Sequence, residues 1–263
     1  MPTADTGYFG PRSVSWRIHG EPLALVGGLR ALLLQALHPE AMGLLYAKSD
    51  FQNDPWARLQ RTAGYVSTVT FATTADVDAA AAHVRAVHEH LGITDPGQLA
   101  WVHACEVDSF LAAARAAGIR VGRADADRYV GEQVRAAALV GVPDELTPRT
   151  VAELADYFAG IRPRLAGTAE AREAARYVLV PPMPVPGRYV LPARLGWATV
   201  SSLAVGLLPG WARRMYGLPP APGAGLATAA GMRALRGALR ALPEHWREGP
   251  IYREAKARAA ALS

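Results

Sequence analysis

The chain has 263 residues, 51% hydrophobic and 19% charged, with a formal net charge of +5 and a pI near 9.6. That size and balance suit one sizeable globular domain, or two small ones sharing a core, and the excess of Ala and Leu favours helix. The arginines are scattered, with no stripe of stacking partners, which argues against nucleic acid but leaves open a weak peripheral contact with anionic membrane. The single cysteine, Cys105, rules out an internal disulfide and any paired-cysteine zinc spacing, and it fits a reducing cytoplasm.

In chain order, residues 1–20 form an N-terminal arm with Asp5, Pro11, Arg12 and Arg17 and no apolar run, unlike a signal peptide. Glu21-Pro22 opens the apolar segment "LALVGGLRALLLQAL", which His38-Pro39 stops. "NDPWARLQRTAGY", from Asn53, opens a helix with Asp54 as cap and Pro55 at its first position. Arg58 and Thr62 share a face of that helix, with Arg61 beside them. "YVSTVTF" is strand-like but follows directly on the helical pattern. The next helix has Thr74 as cap and Gly92 as stop, and the following two run from Asp95-Pro96 to Gly118 and from Arg123 to Gly141. "TPRTVAELADYFAG" and "TAEAREAARYVL" continue the helical pattern.

Four prolines between Pro181 and Pro186 then impose an extended crossover, at 180–190. Further helical segments cover Leu195 to Leu208, Leu226 to Leu242 and Trp246 to Leu262. "LGWATVSSLAVGLLPGW" is short for a membrane span and reads as a buried or interfacial helix. The expectation is an all-α fold, a multi-helix bundle of ten or more helices, with residues 21–263 as one domain.

Seven histidines separate by periodicity. His88 continues the apolar series Val77, Ala81, Val84 and Leu91 and should face the core, whereas His83 and His90 fall off that stripe. His103 lies on an apolar stripe with Leu99, Val107 and Phe110. His38 sits before a proline, where its ring could bond a terminal carbonyl; His19 and His245 have no clear pattern. A buried neutral imidazole needs a hydrogen-bond partner or a metal. No histidine has a glutamate three residues before it and no HExxH occurs, so diiron and zinc-protease chemistry fit poorly. Two readings stay open: hydrogen-bonded core histidines, or one imidazole on the iron of a b-type haem with arginine and threonine on its propionates.

"FGPRSVSWRIHGEP", "GGLRALLLQALHPEAMG", "SDFQNDPWARLQRTAGYVSTVTFATT", "VHEHLG" and "WVHACEVDS" resemble the bacterial branch of the MpaB-type oxygenase family (DUF2236), which includes the catalytic domain of latex-clearing rubber oxygenases. The resemblance is strong from Phe9 to Ser109 and weaker beyond. It implies an all-helical fold around noncovalent haem b. Carried over, Arg58 and Thr62 match an arginine and a threonine near the haem, and His88 matches the iron ligand, with His103 as competitor and His38 as third choice. Arg61 stands where the rubber oxygenases have a lysine, and with Arg58 and Thr62 it completes the implied catalytic set. No glutamate matches the active-site base of those enzymes; Glu40 is near in sequence but lies just past a proline, so rubber cleavage is not inherited.

Three functions follow from these readings. The first is a haem-dependent oxygenase acting with dioxygen on an apolar small molecule or lipid. The second is a haem-binding sensor or carrier without turnover. The third is a cofactor-free helical protein that binds lipid or a partner, with "LGWATVSSLAVGLLPGW" and Arg213-Arg214 at a membrane interface. A nucleophilic hydrolase fits worst: no GxSxG occurs, and Cys105 and His103 diverge on one helix.

Overall fold

The computed structural model describes residues 5–48, 54–218 and 222–261; Asn53 lies outside them. In chain order they form α1 (Val14–His19), α2 (Ala24–Gln35), α3 (Pro39–Lys48), α4 (Pro55–Phe71), α5 (Thr74–Leu91), α6 (Pro96–Ala116) and α7 (Arg123–Leu139). The second half holds α8 (Val151–Ile161), α9 (Ala169–Leu179), α10 (Gly187–Gly206), α11 (Gly210–Met215), α12 (Ala224–Arg240), α13 (Glu244–Arg247) and α14 (Pro250–Ala260). The fold is all-α, with no strand among the described residues.

Local chemistry sets the helix starts. The Asp54 carboxylate accepts the Ala57 N–H at 2.9 Å and Pro55 follows it; Asp95 accepts from Gln98 N–H at 2.7 Å ahead of Pro96. The cap of α5 is Thr73, one residue before the expected Thr74: its hydroxyl accepts the Asp76 N–H and donates to the Asp76 carboxylate at 2.6 Å. "YVSTVTF" is the last part of α4. Its β-branched residues lose only a few tenths of a kcal/mol each in a helix, and burial of Val69, Thr70 and Phe71 outweighs that.

The core is built on α2 lying along α6. Gly27 permits the approach, since a Cβ there would come within 3.2 Å of the Phe110 Cα and the Ser109 carbonyl oxygen. Arg30, only 4% exposed, fastens the pair: Nη1 donates to Ser109 Oγ at 2.6 Å, Nη2 to Asp108 at 2.7 Å, and Nε to the Leu207 carbonyl at 2.9 Å. Trp101, fully buried, donates from Nε1 to the Gln35 carbonyl. Helices α9 and α10 flank α2, α12 packs on α6 and α10, and α4 packs on α5 and α14.

The N-terminal arm contributes to this interior. Helix α1 packs on α7 with Trp16 and Ile18 buried, and Glu132 of α7 accepts the Val14 and Ser15 N–H groups at the helix start. His19 bridges Thr70 Oγ1 at 2.8 Å and Tyr129 OH at 2.9 Å. Past the prolines, the Trp197 indole donates to the Val178 carbonyl and the Ser201 hydroxyl to the Leu179 carbonyl, which ties α10 to α9.

"LGWATVSSLAVGLLPGW", expected as one buried or interfacial helix, is two helices with a buried side. It is divided between α10 and α11 at Leu207, Leu208 and Pro209, and Ser201, Leu203, Ala204, Leu208 and Ala212 are buried. Among the described residues no helix is long and apolar enough to cross a membrane. The expected helix from Trp246 is likewise two, α13 and α14, separated at Gly249 before Pro250.

Candidate functional site

A cavity opens between α2, α3, α4, α6, α9 and α10, with the end of α5 closing one side. Its walls are apolar, including Leu29 and Leu32 of α2, Met42 and Leu45 of α3, Leu99 and Val102 of α6, and Val178 of α9. The space between them, open mouth included, is about 1270 Å³. Few polar groups reach it: Arg58, Thr62, His88, Gln35, Gln98 and Tyr177. Among the described residues no aspartate or glutamate lines it.

Arg58 and Thr62 reach the cavity because α4 starts at Pro55. One turn separates them, and Pro55 and Leu59 share their face. Burial, and then the charge of Arg61, lowers the pKa of Arg58 to about 10. Arg61 itself is exposed and does not line the cavity. Its position is turned about 100° from Thr62, toward solvent, so it reaches the site through charge alone.

His88 stands in the last turn of α5. Gly92, with φ 69°, ends that helix, and the Ile93 N–H returns to the His88 carbonyl at 2.8 Å. The turn fixes the His88 backbone and brings Ile93 beside it in the cavity wall. His88 Nδ1 is buried with no hydrogen-bond partner among the described residues. Burial lowers its pKa, which favours the neutral ring. His83 and His90 are exposed.

The two competing histidines do not line the cavity. His103 is 8% exposed with Nε2 unpartnered among the described residues, and burial pushes its pKa down to about 4. Among the described residues His38 bonds no terminal carbonyl. Because Pro39 begins α3, its buried ring sits at the start of the next helix, where Nδ1 accepts the Ala41 N–H at 3.3 Å. Glu40 faces solvent and pairs with Arg164 at 3.7 Å. Cys105 is buried and its thiol pKa is raised by burial, as suits an inert core residue.

Glu106 is the residue the family pattern did not supply. It lies one turn beyond Val102 on the same face of α6, behind the cavity wall. Burial raises its pKa to about 7, partly offset by a hydrogen bond from Gln35, whose side chain also lines the cavity. Tyr65, one turn past Thr62 on α4, has a buried hydroxyl with no partner among the described residues; burial and then Glu106 push its pKa up to about 12. The signal in the sequence was a carboxylate inside the apolar run "WVHACEVDSF".

Two tryptophans of the cavity wall meet. Trp56 and Trp197 meet edge to face with centroids 4.7 Å apart. The Trp56 indole donates to the Pro182 carbonyl, and Trp197 is held by Val178. Among the described residues no three His, Cys, Asp or Glu side chains converge as a metal site.

Among the described residues an all-helical fold thus surrounds an apolar cavity that one imidazole, one guanidinium and the hydroxyls of Thr62 and Tyr177 line. A family model described as "ER-bound oxygenase mpaB/B'/Rubber oxygenase, catalytic domain" matches residues 16–241, and the chain belongs to that oxygenase family. Comparison with curated proteins and with solved structures returned no match.

Proposed function

We propose that this chain is a haem b-dependent oxygenase that acts with dioxygen on an apolar small molecule or lipid in the cytoplasm. The observation that carries the reading is the convergence of His88, Arg58 and Thr62, from two helices, on one apolar cavity. The residues fit the group. His88, an imidazole of the cavity wall with Nδ1 unpartnered among the described residues, would supply the histidine ligand that a b-type haem takes. A guanidinium and a hydroxyl one turn apart suit a propionate. The enclosed part of the cavity, about 220 Å³, is smaller than the usual organic-ligand pocket of about 300–1,000 Å³, so a haem would also occupy the open part of the space.

His88 would hold the iron, and Arg58 and Thr62 the carboxylates. Bound there, the haem would supply dioxygen activation. Leu29, Leu32, Met42 and Val102 would exclude water and hold a hydrocarbon chain. Glu106, behind Gln35, would hold a proton on its carboxyl oxygen near neutral pH. Arg61 would tune Arg58 from outside.

A second reading, a haem sensor or carrier without turnover, draws on the lack of a carboxylate among the described residues of the cavity lining. Hemin titration of wild type and His88→Ala, followed by visible absorption, tests the cofactor. A Soret band in wild type that is lost or shifted in the variant supports the reading; no band at any hemin concentration refutes it. Oxygen uptake in the presence of alkenes, isoprenoids or fatty chains then separates oxygenase from carrier.

A further inference from the structure

The outer face of α10 lacks a partner. Over its first three turns Arg188, Leu191, Pro192, Leu195, Ala198 and Thr199 fall on one side of the helix, and all are exposed. Leu191 is 67% and Leu195 63% exposed. The opposite side carries Trp197, which lines the cavity, so α10 is a wall one helix thick between the cavity and this face. The crossover just before it extends the apolar surface: Val180 is 75% exposed, while Pro181 lines the cavity.

Charge singles out what covers it. Between Glu173 and Glu244 the sequence contains no Asp or Glu and eight arginines. Arg176, Arg188 and Arg194 are exposed, and none has a salt-bridge partner among the described residues. Arg188 lies over the Tyr189 ring at 4.7 Å, the pairing of cation and aromatic that suits a headgroup layer. A protein partner would call for a complementary acidic surface of definite shape, whereas exposed leucines rimmed by unpaired arginines match acyl chains beneath anionic phosphates.

We propose that the Pro-rich crossover and the first half of α10 form a docking surface for an anionic lipid bilayer, with leucines in the acyl boundary and arginines at the phosphates. Helix α10 lies on the bilayer and does not cross it. The surface is independent of whether haem binds.

Co-sedimentation of the full chain with phosphatidylcholine vesicles, with and without phosphatidylglycerol, tests this. Wild type is expected to bind the anionic vesicles and to lose binding with added salt. The double variant Leu191→Ser with Leu195→Ser, and separately Arg188→Glu with Arg194→Glu, are each expected to lose at least about tenfold in partitioning, with unchanged far-ultraviolet circular dichroism and unchanged hemin titration. No binding to anionic vesicles, or equal binding by both double variants, overturns the proposal. So does a self-association in sedimentation equilibrium that the leucine variant abolishes while vesicle binding is absent, since a second copy would then be the occupant.

Discussion

Glu106→Gln isolates the thermodynamic weight of a carboxyl held behind the cavity. The folded pKa is about 7 against an ordinary value of 4.5. At about 1.4 kcal/mol per unit, ionising Glu106 in the folded state costs about 3 kcal/mol at most. A folded pKa raised in this way gives stability that is fully present below the unfolded pKa and is lost as pH rises through the folded one. The loss therefore falls between pH 4.5 and about 7. Glutamine keeps the shape and the bond to Gln35 but cannot ionise. Urea unfolding followed by circular dichroism is expected to find the variant about 2–3 kcal/mol more stable than wild type near pH 8, and within about 1 kcal/mol near pH 5. An equal effect at both pH values would refute the reasoning, because a contribution independent of pH cannot come from the charge.

Other expectations concern different parts of the molecule. Below pH 6.5 the unfolded chain protonates His19 and His103, while burial holds their folded pKa values at about 3 and about 4. Stability falls there by up to about 1.4 kcal/mol per pH unit for each, so His103→Gln should move acid unfolding, read by tryptophan fluorescence, to lower pH. Arg30→Met leaves Asp108 and Ser109 without their donor and is expected to destabilise by about 3 kcal/mol in the same urea assay, well beyond a surface arginine such as Arg253. Gly27→Ala forces α2 off Phe110, at a cost of about 1–3 kcal/mol. Arg58→Met is expected to weaken hemin binding at least about tenfold, while Arg61→Met changes it little.

The helices were legible because their starts and stops are local. Asp54-Pro55, Asp95-Pro96 and Gly92 act within a few residues, and hydrophobic spacing does the rest. The same spacing put Arg58 and Thr62 on one face and His88 on the stripe that leads to the cavity. It failed where side chains meet across the chain. His19 looked patternless because its partners, Thr70 and Tyr129, are 51 and 110 residues away. His103 sits on an apolar stripe as genuine as that of His88, and periodicity alone does not tell a stripe that packs on the core from one that borders a hollow. Arg61, adjacent in sequence to Thr62, is carried out to solvent by a third of a helical turn. Glu106 was visible as an acidic residue in an apolar run, but its link to the cavity depends on Gln35 from another helix.

The tryptophan pair in the cavity wall bears on time more than on equilibrium. Its contacts join α4, the crossover and α10 to one another. A molecule that passes between α4 and α10 must part Trp56 from Trp197 and from Pro182, whichever way it travels. An interaction intact before and after passage but broken during it raises the barrier equally in both directions. Loosening it should therefore quicken loading and release together, by about tenfold for each 1.4 kcal/mol removed, and leave affinity where it was.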